Sequence, residues 1–201
     1  MLQDWHKVYA SAAVALQSLP TQELALEAVA ASSVDSPSQN AGLTLKHGSD
    51  TYWSCSGSET SEHPEWLRYQ LVQPLCLVRE VRYRFYQAKR SRGRPIFASR
   101  RVSIETGFSE EGLCCVGESE EWNGSREYVT VRLDGPLMPA GCVQVRFAGK
   151  VQLQRDDMQW YVVVTRVQIR GIALGALQCG TLACAFLNHA LANEACVVAM
   201  E

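Results

Sequence analysis

Four of the six residues from Lys89 to Arg94 are basic (Lys89, Arg90, Arg92 and Arg94), and Arg100 and Arg101 follow close behind. A guanidinium presents a planar fork of donors that matches the oxygens of a carboxylate or phosphate two at a time, so this cluster can hold an acidic or phosphorylated peptide. The same charges also suit a solvated hairpin connection between two strands, whose arginines keep the protein soluble, or a nuclear-import signal. Nucleic acid fits less well. The 201-residue chain carries a net charge of −2, and no aromatic residue interrupts the basic run.

Other reactive residue types have weaker claims. Trp53 and Trp66, with His63 between them, could stack on and hydrogen-bond a sugar, but burial of the aromatic rings in a core competes with that use. Cys179, Cys184, His189 and Cys196 are spaced by five, five and seven residues, which lacks the two-residue gap of a structural zinc site. Of the four histidines, His6, His47, His63 and His189, none sits in a catalytic signature. The acidic residues Glu110, Glu111, Glu118, Glu120 and Glu121 fall in a turn-rich stretch, 107–127, that reads as a solvated loop. No catalytic residue, metal site or cofactor is expected, and the expectation is a protein that binds and does not catalyse.

The elements that must position the basic cluster are strands. Val81, Tyr83 and Phe85 alternate with Arg82 and Arg84, and Val102 and Ile104 alternate with Arg101, Ser103 and Glu105, the period-two pattern of half-buried strands. Similar runs cover 66–72, 76–86, 95–106, 128–133, 142–147 and 161–169, punctuated by turn residues such as Asp134-Gly135-Pro136. Without intervening helical patterns, this grammar predicts an antiparallel β-sandwich. Upstream, helical spacing of Leu2, Trp5, Val8 and Tyr9 predicts one helix over 2–17. A second is predicted from Thr21 to Ala31, with Thr21 as its cap. Downstream, the apolar stretch from Ile172 predicts a helix over about 174–192. Gln178, Asn188 and His189 and the lack of flanking basic clusters argue against a membrane span there.

With 47% apolar and 20% charged residues the composition is globular. The start lacks the basic and apolar regions of a signal peptide, so a cytoplasmic or nuclear location is expected. In a reducing compartment the eight cysteines would act mostly as small buried apolar residues.

Ala31-Ser32-Ser33, Tyr52-Trp53-Ser54 and Pro64-Glu65-Trp66-Leu67 occur in an order similar to the opening of galactose-binding-like, discoidin-type jelly rolls. More specific are Phe85-Tyr86-Gln87-Ala88, then Gly93 through Ser99, then Phe147 through Gln154, Trp160-Tyr161-Val162 and Val167 through Gly171. Together these resemble the C-terminal module of a group of plant and algal F-box proteins. The resemblance implies an all-β, galactose-binding-like jelly-roll sandwich over 30–172, with short helices in 1–29 and an apolar helical extension over 173–201. It also implies a protein-recognition role as substrate receptor of a cullin-type (SCF) ubiquitin ligase, with a carbohydrate-binding module as the rival reading. An F-box is a set of several helices that binds a Skp adaptor, and only residues 1–15 could correspond to its last one. The expectation is a truncated or absent F-box, so that Skp and cullin partners depend on sequence upstream.

Overall fold

A computed structural model of the chain describes residues 19–48, 51–133 and 138–175. The helix expected over 2–17 and nearly all of the apolar extension, with Cys179, Cys184, His189 and Cys196, lie outside the described residues. The chain divides into two compact units, and Gln22–Ala173 is the β-sandwich.

Its strands are β1 (Gln22–Glu23), β2 (Ala25–Ala31), β3 (Trp53–Ser54), β4 (Glu65–Leu71), β5 (Cys76–Phe85), β6 (Ser99–Gly107), β7 (Cys114–Glu118), β8 (Val129–Arg132), β9 (Met138–Ala140), β10 (Cys142–Lys150), β11 (Gln152–Leu153), β12 (Trp160–Tyr161) and β13 (Val163–Ala173). One sheet runs β1-β13-β5-β8, with β3 also on β13 and β9 also on β5; the facing sheet runs β2-β4-β10-β6-β7. The pairings are antiparallel.

The alternation read in the sequence is what the sheets bury. Val81, Tyr83 and Phe85 of β5 and Val167 and Ile169 of β13 meet Leu67 and Tyr69 of β4, Val143, Val145 and Phe147 of β10, and Val102 and Ile104 of β6 in one core. Aromatic rings converge on Phe147, with Trp53, Tyr83 and Phe85 at centroid distances of 6.0, 6.2 and 6.1 Å. The buried Tyr69 hydroxyl is satisfied by Thr44 Oγ1 at 2.8 Å.

Three expectations need correction. The helix over Thr21–Ala31 is instead two strands. Its Ala, Leu and Glu residues favour a helix, but Leu24 is the corner where the chain changes sheet: its N–H donates to the Ile169 carbonyl of one sheet and its carbonyl accepts from Val72 N beside the other. Tertiary pairing outweighs a propensity of only a few tenths of a kcal/mol per residue, roughly. Second, β5 and β6 do not pair with each other; they belong to opposite sheets. The basic connection is a short tongue between the sheets, closed by Ala88 N to Pro95 O, Phe97 N to Tyr86 O and a Gln87–Ile96 bridge. Third, the stretch 107–127 contains the edge strand β7 and a 3-10 turn, Glu110–Gly112.

At the end of the sandwich where β4 begins and β10 finishes, a carboxylate and an ammonium are both buried. Lys150 Nζ lies 2.7 Å from Glu65 Oε1, with side chains 1% and 2% exposed. Ser32 and Ser33 donate their hydroxyls to Glu65 Oε2, and Lys150 also donates to Ser58 Oγ at 2.7 Å. Burial by itself would raise the Glu65 carboxyl, but the hydrogen bonds from Lys150, Ser32 and Ser33 outweigh it and hold the group below its ordinary range.

Removing one partner of this pair leaves the other charge stranded. Lys150→Met should therefore cost about 3–5 kcal/mol of unfolding free energy in a urea titration, and Glu65→Leu in the same chain should restore a large part of the loss. Because the folded-state pKa of Glu65 is the lower one, its contribution is complete above the unfolded value of roughly 4.3 and is lost as pH falls through the folded value. The urea midpoint should fall on acidification below about pH 4, and the fall should be shallower in Glu65→Gln.

Candidate functional site

A pocket of about 630 Å3 opens where β5 leaves its sheet and enters the tongue. Its aromatic lining is Phe85 with Tyr52 and Tyr86, the two tyrosines having centroids 4.5 Å apart and planes tilted by 34°. Four cationic side chains line it: Arg84 from the outward face of β5, Lys89 and Arg90 from the tongue, and Arg126 from the approach to β8. Gln87, Ser91 and Thr165 add neutral polar groups, and no Asp or Glu is among the lining residues.

Each element that supplies these groups is fixed locally. Tyr86 N donates to Val163 O, so the strand pairing runs into the first residue of the tongue. Two successive turns, Ser91 N to Ala88 O and Arg94 N to Ser91 O, then fold the basic run back. Gly93 and Arg94 take positive φ, 82° and 48°, to complete the reversal, and Gln87 Nε2 pins the return by donating to Arg94 O at 3.0 Å. Arg84 is held by its Nε donating to Thr165 Oγ1 at 3.2 Å, while Thr165 donates to the Arg84 carbonyl. Among the described residues none of Arg84, Lys89, Arg90 or Arg126 makes an ion pair. Four cations without an ion-pair partner among the described residues, around a pocket that also presents aromatic rings, suit an anionic ligand with a flat or apolar portion.

The structure divides the basic cluster. Lys89 and Arg90 reach the pocket. Arg92 and Arg94 are exposed in the tongue and do not line it, and Arg100 and Arg101 are exposed on β6, in the opposite sheet. Arg84, Arg126, Tyr52 and Tyr86 belong to the pocket and were not among the expected binding residues. The outward placement of Arg84 is visible in the alternation of β5, but its meeting with Arg126 and Tyr52 depends on contacts far apart in the chain.

The sugar-binding candidates are dispersed. Trp53 is 0% exposed, stacked on Phe147, and its Nε1 donates to Ser33 O at 3.0 Å. Trp66 points outward from β4, half-buried, with the Arg68 guanidinium 4.9 Å from its ring centre. This reverses the expectation that it packs inward, since alternation gives the inward position to Glu65. His63 is exposed, with Nδ1 3.4 Å from Glu65 Oε1.

The cysteines also divide. Cys55, Cys76 and Cys142 are buried as expected, whereas Cys114 and Cys115 are exposed on β7. Burial, with the Glu65 carboxylate nearby, pushes the Cys55 thiol up to about 12, which keeps it protonated. Among the described residues no group of three or more His, Cys, Asp or Glu could hold a metal ion, and no helix is long and apolar enough to cross a membrane.

The architecture is that of a galactose-binding-like β-sandwich. It is similar to a family 32 carbohydrate-binding module of NanJ from Clostridium perfringens, solved with galactose (TM-score 0.55, 13% identity, 70% of this chain and 90% of that one). It is also similar to chitosan-binding module 1 of a chitosanase/glucanase from Paenibacillus sp. IK-5 (TM-score 0.56, 14% identity, 74% and 98%). In sequence the chain is similar to an F-box protein of Arabidopsis thaliana, 28% identical over 205 residues that cover 87% of this chain and 54% of the relative. The chain thus spans about half the length of the curated relative it matches. No family model matches the sequence.

Trp53→Ala should destabilise the sandwich by about 3–5 kcal/mol in urea denaturation, since it empties a core position beside Phe147. Trp66→Ala, on the outer face, should cost about 1 kcal/mol or less.

Proposed function

We propose that the sandwich is a non-catalytic recognition module that captures an acidic or phosphorylated segment of a protein target in the Tyr52–Tyr86 pocket. The observation that carries this reading is four cations, from Arg84, Lys89, Arg90 and Arg126, around a pocket with no carboxylate in its lining. A phosphate or carboxylate there would find guanidinium donors already oriented, and the tyrosine rings would cover the chain that bears it. Similarity to an F-box protein supports a wider context, in which the module is the substrate-receptor part of a cullin-type ubiquitin ligase or a stand-alone relative of one. On this reading Skp adaptor and cullin join only through an F-box, and the target is met in the cytoplasm or nucleus.

The second reading is a carbohydrate-binding module. The paired tyrosines favour it, since an aromatic platform flanked by Gln87 and Thr165 suits a pyranose ring with polar edges. Trp53, His63 and Trp66 are replaced in this version by Tyr52 and Tyr86.

Fluorescence polarisation with a labelled phosphoserine peptide tests the first reading against a glycan array for the second. The double variant Lys89→Glu/Arg90→Glu should weaken peptide capture at least about tenfold, because it inverts two of the cations at the pocket. Arg92→Glu/Arg94→Glu should change it less than about twofold at moderate salt. Equal losses in the two variants would return the basic run to a diffuse electrostatic role. Saturable sugar binding that Tyr86→Ala abolishes without unfolding, with no peptide binding, would replace the protein-receptor reading.

A further inference from the structure

Arg84 belongs to two constellations. It lines the pocket, and its guanidinium carbon also lies 5.2 Å from the ring centre of Tyr128, over which Arg82 sits at 5.0 Å. Arg82 and Arg84 alternate with the buried Val81, Tyr83 and Phe85, so both project from the outer face of β5, and Tyr128, just before β8, holds the two like charges on one ring. Neither arginine makes an ion pair among the described residues. Two positions further along the same row is Glu80, which pairs with Arg170 at 3.4 Å on one adjacent strand and lies opposite Arg132 on the other, so a carboxylate interrupts the cationic row there.

We infer that Arg82, stacked with Arg84 on Tyr128, forms a second subsite that reads an acidic side chain two residues away from the group anchored in the pocket. This rests on the pocket reading above and adds a spacing to it. Same-face side chains on a strand repeat about every 7 Å, and those of an extended peptide laid along the strand repeat at the same interval. An acid adjacent to the anchored residue points the other way and misses Arg82. An acid four residues away meets the like charge of Glu80, which lies between Arg170 and Arg132. Cation–π contact with Tyr128 keeps the Arg82 guanidinium in place before the ligand arrives, which lowers the ordering cost of binding. A row interrupted by a carboxylate after two residues suits a short acidic motif better than a long nucleic-acid backbone, which carries charge at every step.

The test uses the full chain and synthetic phosphoserine peptides in an alanine background, read by fluorescence polarisation. Each peptide carries either no further acid or one glutamate placed one, two or four residues from the phosphoserine on either side. Glutamate two residues away, on one side only, should tighten binding about threefold, with glutamate at one or four residues within error of the parent. Arg82→Gln should abolish that increment, so that on this variant the glutamate peptide binds no more tightly than the parent, while Arg82→Lys, which keeps the charge, should retain part of it. Parent binding with no dependence on glutamate position, or an increment that survives Arg82→Gln, would overturn the subsite while leaving the pocket intact. Failure of every peptide to bind would overturn both. A single-stranded oligonucleotide that binds more tightly than any peptide and is released by Arg82→Gln would assign this face to nucleic acid instead.

Discussion

The Glu65–Lys150 ion pair is the constraint that the chain segments at its end of the sandwich must satisfy. Taking both charges out of water costs several kcal/mol per ion, roughly, and their attraction offsets this only when the remaining donors and acceptors are also matched. Here they are: Glu65 Oε2 takes two serine hydroxyls, while Lys150 holds Glu65 Oε1 and Ser58. The groups that complete the pair come from the end of β2, the loop after β3, the first residue of β4 and the last of β10. Their side chains also tie backbone: Ser32 Oγ accepts from Trp66 N, Ser33 Oγ accepts from Ser56 N, and the Ser33 carbonyl accepts from the Trp53 indole. Hydrophobic burial supplies the driving force for folding, but it is non-directional. The ion pair is directional, so an arrangement that buries either charge must bring these same segments together, alongside the backbone ladder that joins β4 to β10.

That geometry gives a physical content to the loose pattern Ala-Ser-Ser, Trp-Ser and Glu-Trp-Leu. As a string it is three separated short segments; in the fold the two serines, the tryptophan indole and the glutamate meet around one buried carboxylate. The strand alternation was legible because its period is local, and β4, β5, β6, β8 and β10 fall within a few residues of the expected runs. Two matters were not legible. The Leu24 corner looks helical because Ala, Leu and Glu express a local preference, whereas its hydrogen bonds go to residues far along the chain. The inward turn of Glu65 in place of Trp66 defies hydrophobicity itself, and it is understandable only once Lys150, 85 residues away, is seen to be its partner.

The pocket was half legible for the same reason. Lys89 and Arg90 stand out as a run in the sequence, and β5 delivers them to the pocket because Tyr86 continues the pairing with β13 before the tongue turns. Arg126 sits in a stretch whose acidic neighbours disguise it, and Tyr52 precedes a core tryptophan that draws the eye. The more accessible aromatic is thus the neighbour of the conspicuous one: Trp53 is buried at the start of β3, and Tyr52, just before the strand, faces Tyr86.

Likeness to carbohydrate-binding modules fixes the architecture and leaves the ligand to the side chains, because a sandwich presents its connections as separable loops on a common frame. In this chain the cations of the pocket come from a strand face, a tongue and a loop, and none of the four side chains is part of the buried core. Changing any one of those side chains alters charge at the pocket while the buried contacts of Glu65 and Phe147 stay as they are. The charges at the pocket and the stability of the frame are therefore physically separable, and the charge pattern on the outside of β5 is not dictated by the fold.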